Sequence, residues 1–291
     1  MPKTEETTKP VYQDATGPVV IKQTNDYLFK ALMQKNHKVL HHLICSLLHT
    51  TPDNIKDAKI TNPIILGESV NEKDIILDIN VLYNDGERTN LEMQVTNEHN
   101  WPERSTYYAC RNFTDLNLGQ DYGELKPVHQ IGILDFTPLP EHPKFYSHYQ
   151  LRDVDDYYTY TDKFNIVTLD LTNIELASKQ DKAYNVDKWA RFFKAATWEE
   201  LKMLAEKYDV LSEAAATVYQ LSEDERIRLQ CQAREDYEKR KRSVFKQLKQ
   251  KDETIEQQAK TMAQDKETIA QLTKENAELK ALLAKQASSN S

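Results

Sequence analysis

The stretch Glu72–Thr96, EKDIILDINVLYNDGERTNLEMQVT, contains two β-rich runs separated by a polar turn. The runs are Ile75–Tyr83 and Thr89–Val95, and the turn includes Asp85-Gly86, a dipeptide typical of β-hairpins. Because side chains alternate between the two faces of a strand, each run has one apolar face and one face that carries acid or amide groups. The polar positions are Asp78 and Asn80 in the first run and Glu92 and Gln94 in the second.

The length of the turn decides whether these polar side chains meet. Directly paired residues of an antiparallel hairpin lie on the same face. A two-residue turn would pair Asp78 with Met93 and separate the polar groups. A turn with an odd number of residues, or a bulge, pairs Asp78 with Glu92 or with Gln94. We expect the odd turn or the bulge, because either one gathers the polar groups.

Two carboxylates held close together on a sheet face repel each other unless a cation or a proton lies between them. Oxygen ligands of this kind suit Mg²⁺, which prefers one or two carboxylates together with waters and substrate phosphates. The alternative is an ordinary hairpin with a solvated polar face. The spacing of Asp78, Glu92 and Gln94 does not by itself decide between the two interpretations.

Six short segments, in order along the chain, carry a resemblance to a known family. They are Thr24–Lys30, Lys73–Ile79, Asn90–Gln94, Glu103–Tyr108, Gly119–Tyr122 and Leu125–Phe136. With these segments the chain resembles the PD-(D/E)XK nuclease superfamily, and within it the bacterial recombination-promoting nuclease (Rpn), or transposase-like, family. The resemblance covers residues 20–200 approximately.

This resemblance implies an α/β fold with a restriction-endonuclease-like αβββαβ core and a mixed sheet. It also implies metal-dependent hydrolysis of DNA, with Mg²⁺ (or Mn²⁺ or Ca²⁺) held by Asp78, Glu92 and the carbonyl of Met93. Gln94 stands where the superfamily usually has lysine. Glutamine can orient a water molecule but carries no charge. The recombination-promoting family commonly has this Glu-x-Gln form, so the departure does not argue against membership.

The cation that replaces the missing lysine is left open between Lys30, Lys73 and Arg104. Asp26 and Lys30 lie one turn apart on a predicted helix, where they form either an exposed ion pair or, as the resemblance suggests, part of the active site. Arg104 and Tyr108 share a helix face that either contacts DNA phosphates or is solvated. Lys73 is likewise either solvated or a phosphate contact.

Periodicity predicts the elements around the hairpin. They are a helix from Asp26 to about His49 capped by Asn25, a short strand within 55–66, a helix over Pro102–Leu118, a buried strand over Val128–Phe136, strands at Tyr146–Leu151 and Phe164–Leu171, and helices from Val186 onward. The helix before the buried strand indicates a βαβ crossover.

One long helix without Gly or Pro is predicted to run to about Lys285. Its heptad a positions are Leu248, Ile255, Met262, Ile269, Asn276 and Leu283. Asn276 at such a position favours a parallel dimer, whereas a solvated single helix is the alternative for residues 238–265. The run Lys239, Arg240, Lys241 and Arg242 is either a solvated helix face or a non-specific DNA contact.

The composition limits the classes of function. A net charge of −8 and a pI of about 5.6 mean that any DNA contact must come from a local basic patch. The three cysteines Cys45, Cys110 and Cys231 are far apart and form no C-x-x-C pair, which indicates neither a disulfide framework nor a zinc site and fits the cytoplasm. No apolar run reaches the roughly 18 residues of a transmembrane helix.

These observations predict five segments and one main function. The segments are a flexible tail (1–19), a nuclease-like domain (20–175), a helical extension (176–221), a long helix (222–285, coiled coil at about 245–285) and a disordered end (286–291). The function is a Mg²⁺-dependent DNA endonuclease whose partners are DNA and a second copy of the chain, with no membrane and no organic cofactor.

Two alternatives belong to other classes. One is a catalytically weak nuclease-fold module that binds DNA or assembles, and that dimerises through the coiled coil. The other is a coiled-coil adaptor. A DDE-type transposase is less attractive, because no third carboxylate is clearly placed and no helix-turn-helix signature is present.

Overall fold

The computed structural model describes residues 11–64, 66, 78–84, 86–113 and 121–289. These residues belong to two compact units, one that ends at Glu238 and one that begins at Lys239. Several sequence predictions lie outside the described residues: the start of the N-terminal tail, Lys73, the segment Ile75–Leu77, the turn residue Asp85 and the helix end at Leu118.

The first two helices begin at asparagine caps. The side chain of Asn25 accepts hydrogen bonds from the backbone N–H groups of Tyr27 and Leu28, which confirms the predicted start of helix α1, Asp26–Lys35. The predicted continuous helix to His49 is wrong. Asn36 has extended backbone (φ −127°, ψ 92°), and its side chain caps a second helix, α2, His37–Leu47.

Six strands of the described chain form one mixed sheet in the order β1-β2-β3-β4-β6-β5. Their bounds are Lys59–Ile60 (β1), Ile79–Tyr83 (β2), Glu87–Gln94 (β3), Val128–Leu134 (β4), Tyr146–Arg152 (β5) and Thr159–Asp170 (β6). The pairs β3–β4 and β4–β6 are parallel, and the other pairs are antiparallel. Helix α3, Trp101–Phe113, connects β3 to β4, which confirms the predicted crossover and the mixed α/β fold.

One face of the sheet forms the main hydrophobic core. Leu91, Ile131 and Leu169 are fully buried on this face and belong to the same apolar cluster as Phe29 of α1 and Trp189. The helices that follow the sheet are Lys179–Ala183 (α4), Val186–Lys194 (α5), Trp198–Ala205 (α6) and Asp209–Glu223 (α7), and the last three contribute apolar side chains to this core. Burial of these side chains supplies most of the apolar stabilisation of the unit.

The other face of the sheet is covered by α3. The indole of Trp101 lies against Gly132 so closely that a Cβ at that glycine would come within 2.1 Å of the ring. Its Nε1–H donates a hydrogen bond of 3.1 Å to the hydroxyl of Thr168. Glycine is therefore required at residue 132, and the start of α3 is fixed over β4 and β6.

Helix α8 spans Glu225–Ser289. Asp224 caps its start, because Asp224 Oδ1 accepts hydrogen bonds from the N–H groups of Arg226 and Ile227. The helix continues past the predicted end near Lys285. In the second unit the apolar a positions Leu248, Ile255, Met262 and Ile269 are between 50% and 71% exposed. No described helix is long and apolar enough to cross a membrane.

Candidate active site

The turn of the central hairpin has three residues, because Tyr83 pairs with Glu87. The backbone φ is positive at Asn84 (45°) and at Gly86 (121°). Asparagine and glycine adopt positive φ more readily than other residues do. Ile79 pairs with Leu91, so the same register places Asp78 opposite Glu92. The prediction of an odd turn that gathers the polar groups is confirmed.

The polar face of the hairpin is buried rather than solvated. Asp78 and Glu92 are each 4% exposed, Gln94 is 9% exposed and Asn90 is 4% exposed. The alternative of an ordinary hairpin with a solvated polar face is therefore wrong. Carboxylates are almost never fully buried unless they are paired or bind a metal. The burial of Asp78 and Glu92 therefore makes this face a candidate functional site.

Arg104 of α3 approaches this face and pairs with one oxygen of Glu92. Its Nε and its Nη2 each lie 2.7 Å from Glu92 Oε1. The other carboxylate oxygen, Glu92 Oε2, is buried without a hydrogen-bond partner in the part of the chain that the structure describes, and so is Gln94 Oε1. Buried polar atoms without a partner are rare in native proteins, so these two oxygens point to a ligand that accepts their lone pairs.

A chain of hydrogen-bonded side-chain amides leads to the carboxylate of Asp78. Asn90 Nδ2 lies 2.6 Å from Asn80 Oδ1 and 3.5 Å from Asp78 Oδ2, and Gln130 Nε2 donates to Asn90 Oδ1 at 3.2 Å. The sequence analysis placed Asn80 on the polar face but missed the roles of Asn90 and Gln130. The available signal was one amide inside the apolar run of β4 and another at an alternating position of β3.

Lys30 holds the backbone of Asp78 rather than its carboxylate. Its Nζ donates a hydrogen bond of 2.9 Å to the Asp78 carbonyl, and Asn62 Nδ2 donates to the same oxygen at 2.9 Å. Lys30 is only 1% exposed. Burial lowers the pKa of Lys30 to about 8, against the opposing effect of the nearby Asp78 charge.

Both carboxylic acids hold protons more tightly than usual. Burial, and then the charge of Asp78, raise the pKa of Glu92 to about 7, although Arg104 opposes the shift. Burial also raises the pKa of Asp78, while Arg104 again acts in the opposite direction. A site that attracts protons in this way also attracts a cation, since either one relieves the repulsion between the two carboxylates.

The other predicted site residues fall in different places. Arg104 lies over the ring of Tyr108, with its Cζ 5.2 Å from the ring centroid. The carboxylate of Asp26 binds the guanidinium of Arg234 in α8, a residue that the sequence analysis missed. The side chain of Met93 is buried in the apolar core, on the face opposite Glu92. The basic run Lys239, Arg240, Lys241 and Arg242 belongs to the second unit.

The donor set fits a small divalent cation. No cluster of three or more His, Cys, Asp or Glu side chains occurs among the residues that the structure describes. The site instead offers two carboxylates and the amide oxygen of Gln94, and within the described ranges Glu92 Oε2 and Gln94 Oε1 have no hydrogen-bond partner. Mg²⁺ commonly uses one or two carboxylates and keeps several waters, so two carboxylates are sufficient for it.

The fold and this site define a class of protein: a mixed sheet with a buried acidic pair on a central hairpin, covered by a crossover helix that delivers an arginine. The family model of the PD-(D/E)XK nuclease family transposases matches residues 23–247, and the chain belongs to this family. The resemblance found in the sequence is thereby confirmed, and the family supports a nuclease or transposase-like function. Neither a curated protein nor a solved structure matched the chain.

Proposed function

We propose that the protein is a metal-dependent DNA endonuclease whose metal is held by Asp78 and Glu92. The observation that carries this proposal is the buried acidic pair, in which Glu92 Oε2, like the neighbouring Gln94 Oε1, has no hydrogen-bond partner among the described residues. Membership of a nuclease family supports the reaction type and favours DNA as the substrate.

In this proposal Asp78, Glu92 and the main-chain carbonyl of Met93 bind Mg²⁺, with Mn²⁺ and Ca²⁺ as further ions that the site accepts. When bound, the ion would supply a Lewis acid for the scissile phosphate and would lower the pKa of a nearby water molecule. Gln94 Oε1 would accept a hydrogen bond from the attacking water and orient it. Lys30 and Asn62 hold the Asp78 carbonyl and thereby fix the backbone from which the Asp78 carboxylate projects.

Arg104 is the cation best suited to replace the superfamily lysine. Its side chain is 29% exposed, so one side of the guanidinium is open while the other contacts Glu92. A guanidinium forks onto phosphate oxygens and keeps its charge at any working pH. Lys30 Nζ donates a hydrogen bond to the Asp78 carbonyl, and the Lys30 side chain is more deeply buried than that of Arg104. Lys73 is outside the described residues.

Substrate binding and assembly involve two further surfaces in this proposal. Arg104 and Tyr108 contact the DNA strand near the site, and Lys239, Arg240, Lys241 and Arg242 contact the backbone non-specifically. The exposed heptad stripe of the second unit pairs with the same stripe of a second copy in a parallel coiled coil. Light scattering on the wild type and on Ile269→Lys tests the dimer, and an equal mass for both would contradict it.

A second candidate is a catalytically weak nuclease-fold module that binds DNA or assembles through the same coiled coil. The observation that favours it is the neutral Gln94 at the position where the superfamily usually has a charged lysine. Intact Asp78 and Glu92 argue for the first candidate.

Nicking of supercoiled plasmid separates the two candidates. Purified wild type, Asp78→Ala and the control Asp155→Ala are each assayed with Mg²⁺, Mn²⁺, Ca²⁺ or EDTA; Asp155 is an exposed acid on the distant β5–β6 turn. The endonuclease proposal expects cutting that needs metal, survives in Asp155→Ala and vanishes in Asp78→Ala. Cutting that persists in Asp78→Ala would overturn it, and plasmid binding without cutting by the wild type would favour the second candidate.

A further inference from the structure

The first turns of α8 contact both elements that carry the candidate site. Asn25 Nδ2, at the start of α1, donates a buried hydrogen bond of 2.9 Å to the carbonyl of Cys231. Thr96, just past the end of β3, donates through its hydroxyl to Glu238 Oε2 at 2.5 Å. Between these two contacts, Arg234 binds Asp26 of α1.

Arg234 is the centre of this group. Its Nε lies 3.1 and 3.0 Å from the two carboxylate oxygens of Asp26, its Nη2 contacts the same carboxylate, and Nη2 is 3.9 Å from Glu238 Oε1. Its guanidinium also lies over the ring of Tyr237, 4.8 Å from the centroid. The three charged side chains are only 11–18% exposed. Loss of Arg234 would leave two poorly solvated carboxylates without their shared cation.

Both carboxylates that Arg234 contacts lead to the site within a few residues. Asp26 precedes Lys30 by one helical turn, and Lys30 Nζ holds the Asp78 carbonyl. Glu238 holds Thr96, which is two residues beyond Gln94. The guanidinium of Arg234 therefore ties the position of α1 to the end of β3, and so ties the Asp78 side of the site to the Glu92 and Gln94 side.

We propose that Arg234 is a positioning residue of the nuclease site and that the turns of α8 up to Glu238 are an integral part of that site. This inference rests on the proposed function. Asp26 acts in it as the partner of Arg234, so its contribution to the reaction is to hold α1 in place. Removal of a group that orients the residues around a metal typically lowers metal affinity or activity by roughly 10–100-fold. We expect an effect on the order of this magnitude here.

The test uses Arg234→Gln and Arg234→Lys in the full-length chain, with Arg226→Gln as the matched control. Arg226 is also an arginine near the start of α8 and also pairs with an aspartate, but its side chain is 74% exposed and its ion pair is long, at 3.6 Å. Three quantities are measured well below the thermal transition: kcat and KM for DNA cleavage in Mg²⁺, and the affinity for Ca²⁺ by calorimetry.

Arg234→Gln is expected to lower kcat and Ca²⁺ affinity by about 10-fold or more while KM for DNA changes little. Arg234→Lys should recover part of the loss, because it restores the charge without the fork, and Arg226→Gln should match the wild type. A loss of folded protein would also lower the apparent kcat without changing KM, but it would reduce the number of Ca²⁺ sites per chain and leave the Ca²⁺ affinity of the remaining sites unchanged.

A folded Arg234→Gln with wild-type kcat and wild-type Ca²⁺ affinity would overturn the inference. If Arg234→Gln does not fold, the same comparison on Arg234→Lys decides. If the wild type binds Ca²⁺ but cuts no DNA, the endonuclease proposal fails while the Ca²⁺ affinity of the Arg234 variants still decides the positioning role. If the wild type neither cuts nor binds Ca²⁺, both proposals are wrong.

Discussion

The two faces of strand β3 are buried to the same extent and have opposite chemistry. Leu91 and Met93 are 0% and 7% exposed on one face, and Glu92 and Gln94 are 4% and 9% exposed on the other. On the first face Leu91 and Met93 are apolar and belong to the core, and the buried Thr89 hydroxyl is hydrogen-bonded to that of Tyr83 at 3.0 Å. On the second, carboxylate and amide oxygens are buried and two of them lack partners among the described residues, which opposes folding. The apolar face stabilises the sheet, and the polar face is retained for its chemistry.

The largest expected effect is on the nuclease rate, from a substitution on the polar face that leaves the fold intact. Asp78→Asn replaces a proposed metal ligand with a neutral amide. The nuclease rate should therefore fall by about 100-fold or more, as for other groups that stabilise charge in a transition state. The free energy of unfolding should stay the same or rise, because a poorly solvated charge has been removed. Single-turnover cleavage and urea unfolding measure the two quantities. A parallel loss of rate and stability would show that Asp78 is structural.

The opposite change breaks the apolar face. Leu91→Ala removes a fully buried side chain from the centre of the core and should lower the free energy of unfolding by about 2–5 kcal/mol. Urea unfolding measures this loss, and Leu248→Ala, at a half-exposed position of the second unit, serves as the control with little change. If Leu91→Ala were as stable as Leu248→Ala, the assignment of this face to the core would be wrong.

The pH dependence of stability sharpens the comparison. The pKa of Glu92 is raised from 4.5 to about 7 in the folded chain, so the folded state holds a proton that the unfolded state has lost. Without metal, the free energy of unfolding should therefore decrease as the pH rises from about 4.5 to about 7, by roughly 1–3 kcal/mol. Urea unfolding across this range measures the decrease. Glu92→Gln should reduce the decrease, because only the contribution of Asp78 would remain, and an unchanged slope in that variant would contradict the assignment.

A smaller effect is expected at the cation. Arg104→Lys keeps the charge but loses the fork that contacts Glu92 through two nitrogens. We expect cleavage to slow by about 10-fold, which corresponds to about 1.4 kcal/mol in the barrier. Arg191→Lys is the matched control and should be nearly neutral, because Arg191 of α5 also pairs with a glutamate, Glu175, but both side chains are largely exposed. Equal rates for wild type and Arg104→Lys would mean that any cation at this position is sufficient.

The sequence was sufficient to predict the geometry of the hairpin. Alternation assigned each side chain to a face, and the expectation of an odd turn or a bulge brought Asp78 opposite Glu92 or Gln94, of which the structure shows Glu92. Short-range patterns of this kind carry the information because the register of a hairpin depends on only a few neighbouring residues. The crossover helix and the buried strand β4 followed from the same reasoning.

The parts that could not be predicted depend on contacts between distant residues. The break at Asn36 sits inside an apolar pattern that fits one long helix, and it is visible only from the cap that Asn36 forms. Arg234 looks like any solvated residue of a charged helix, yet it binds Asp26, which is 208 positions earlier. Periodicity reports which face of a helix is apolar and does not report which distant element covers a polar one.

Calorimetric titration of Mn²⁺ into the wild type, Asp78→Asn and Glu92→Gln at a pH above 7 tests the central claim most directly. At this pH Glu92 is mostly deprotonated, so the site is ready to bind a cation. We predict saturable binding by the wild type that is lost in both variants while both remain folded. Equal binding by all three proteins would contradict the claim that the buried acidic pair of this hairpin is the metal site.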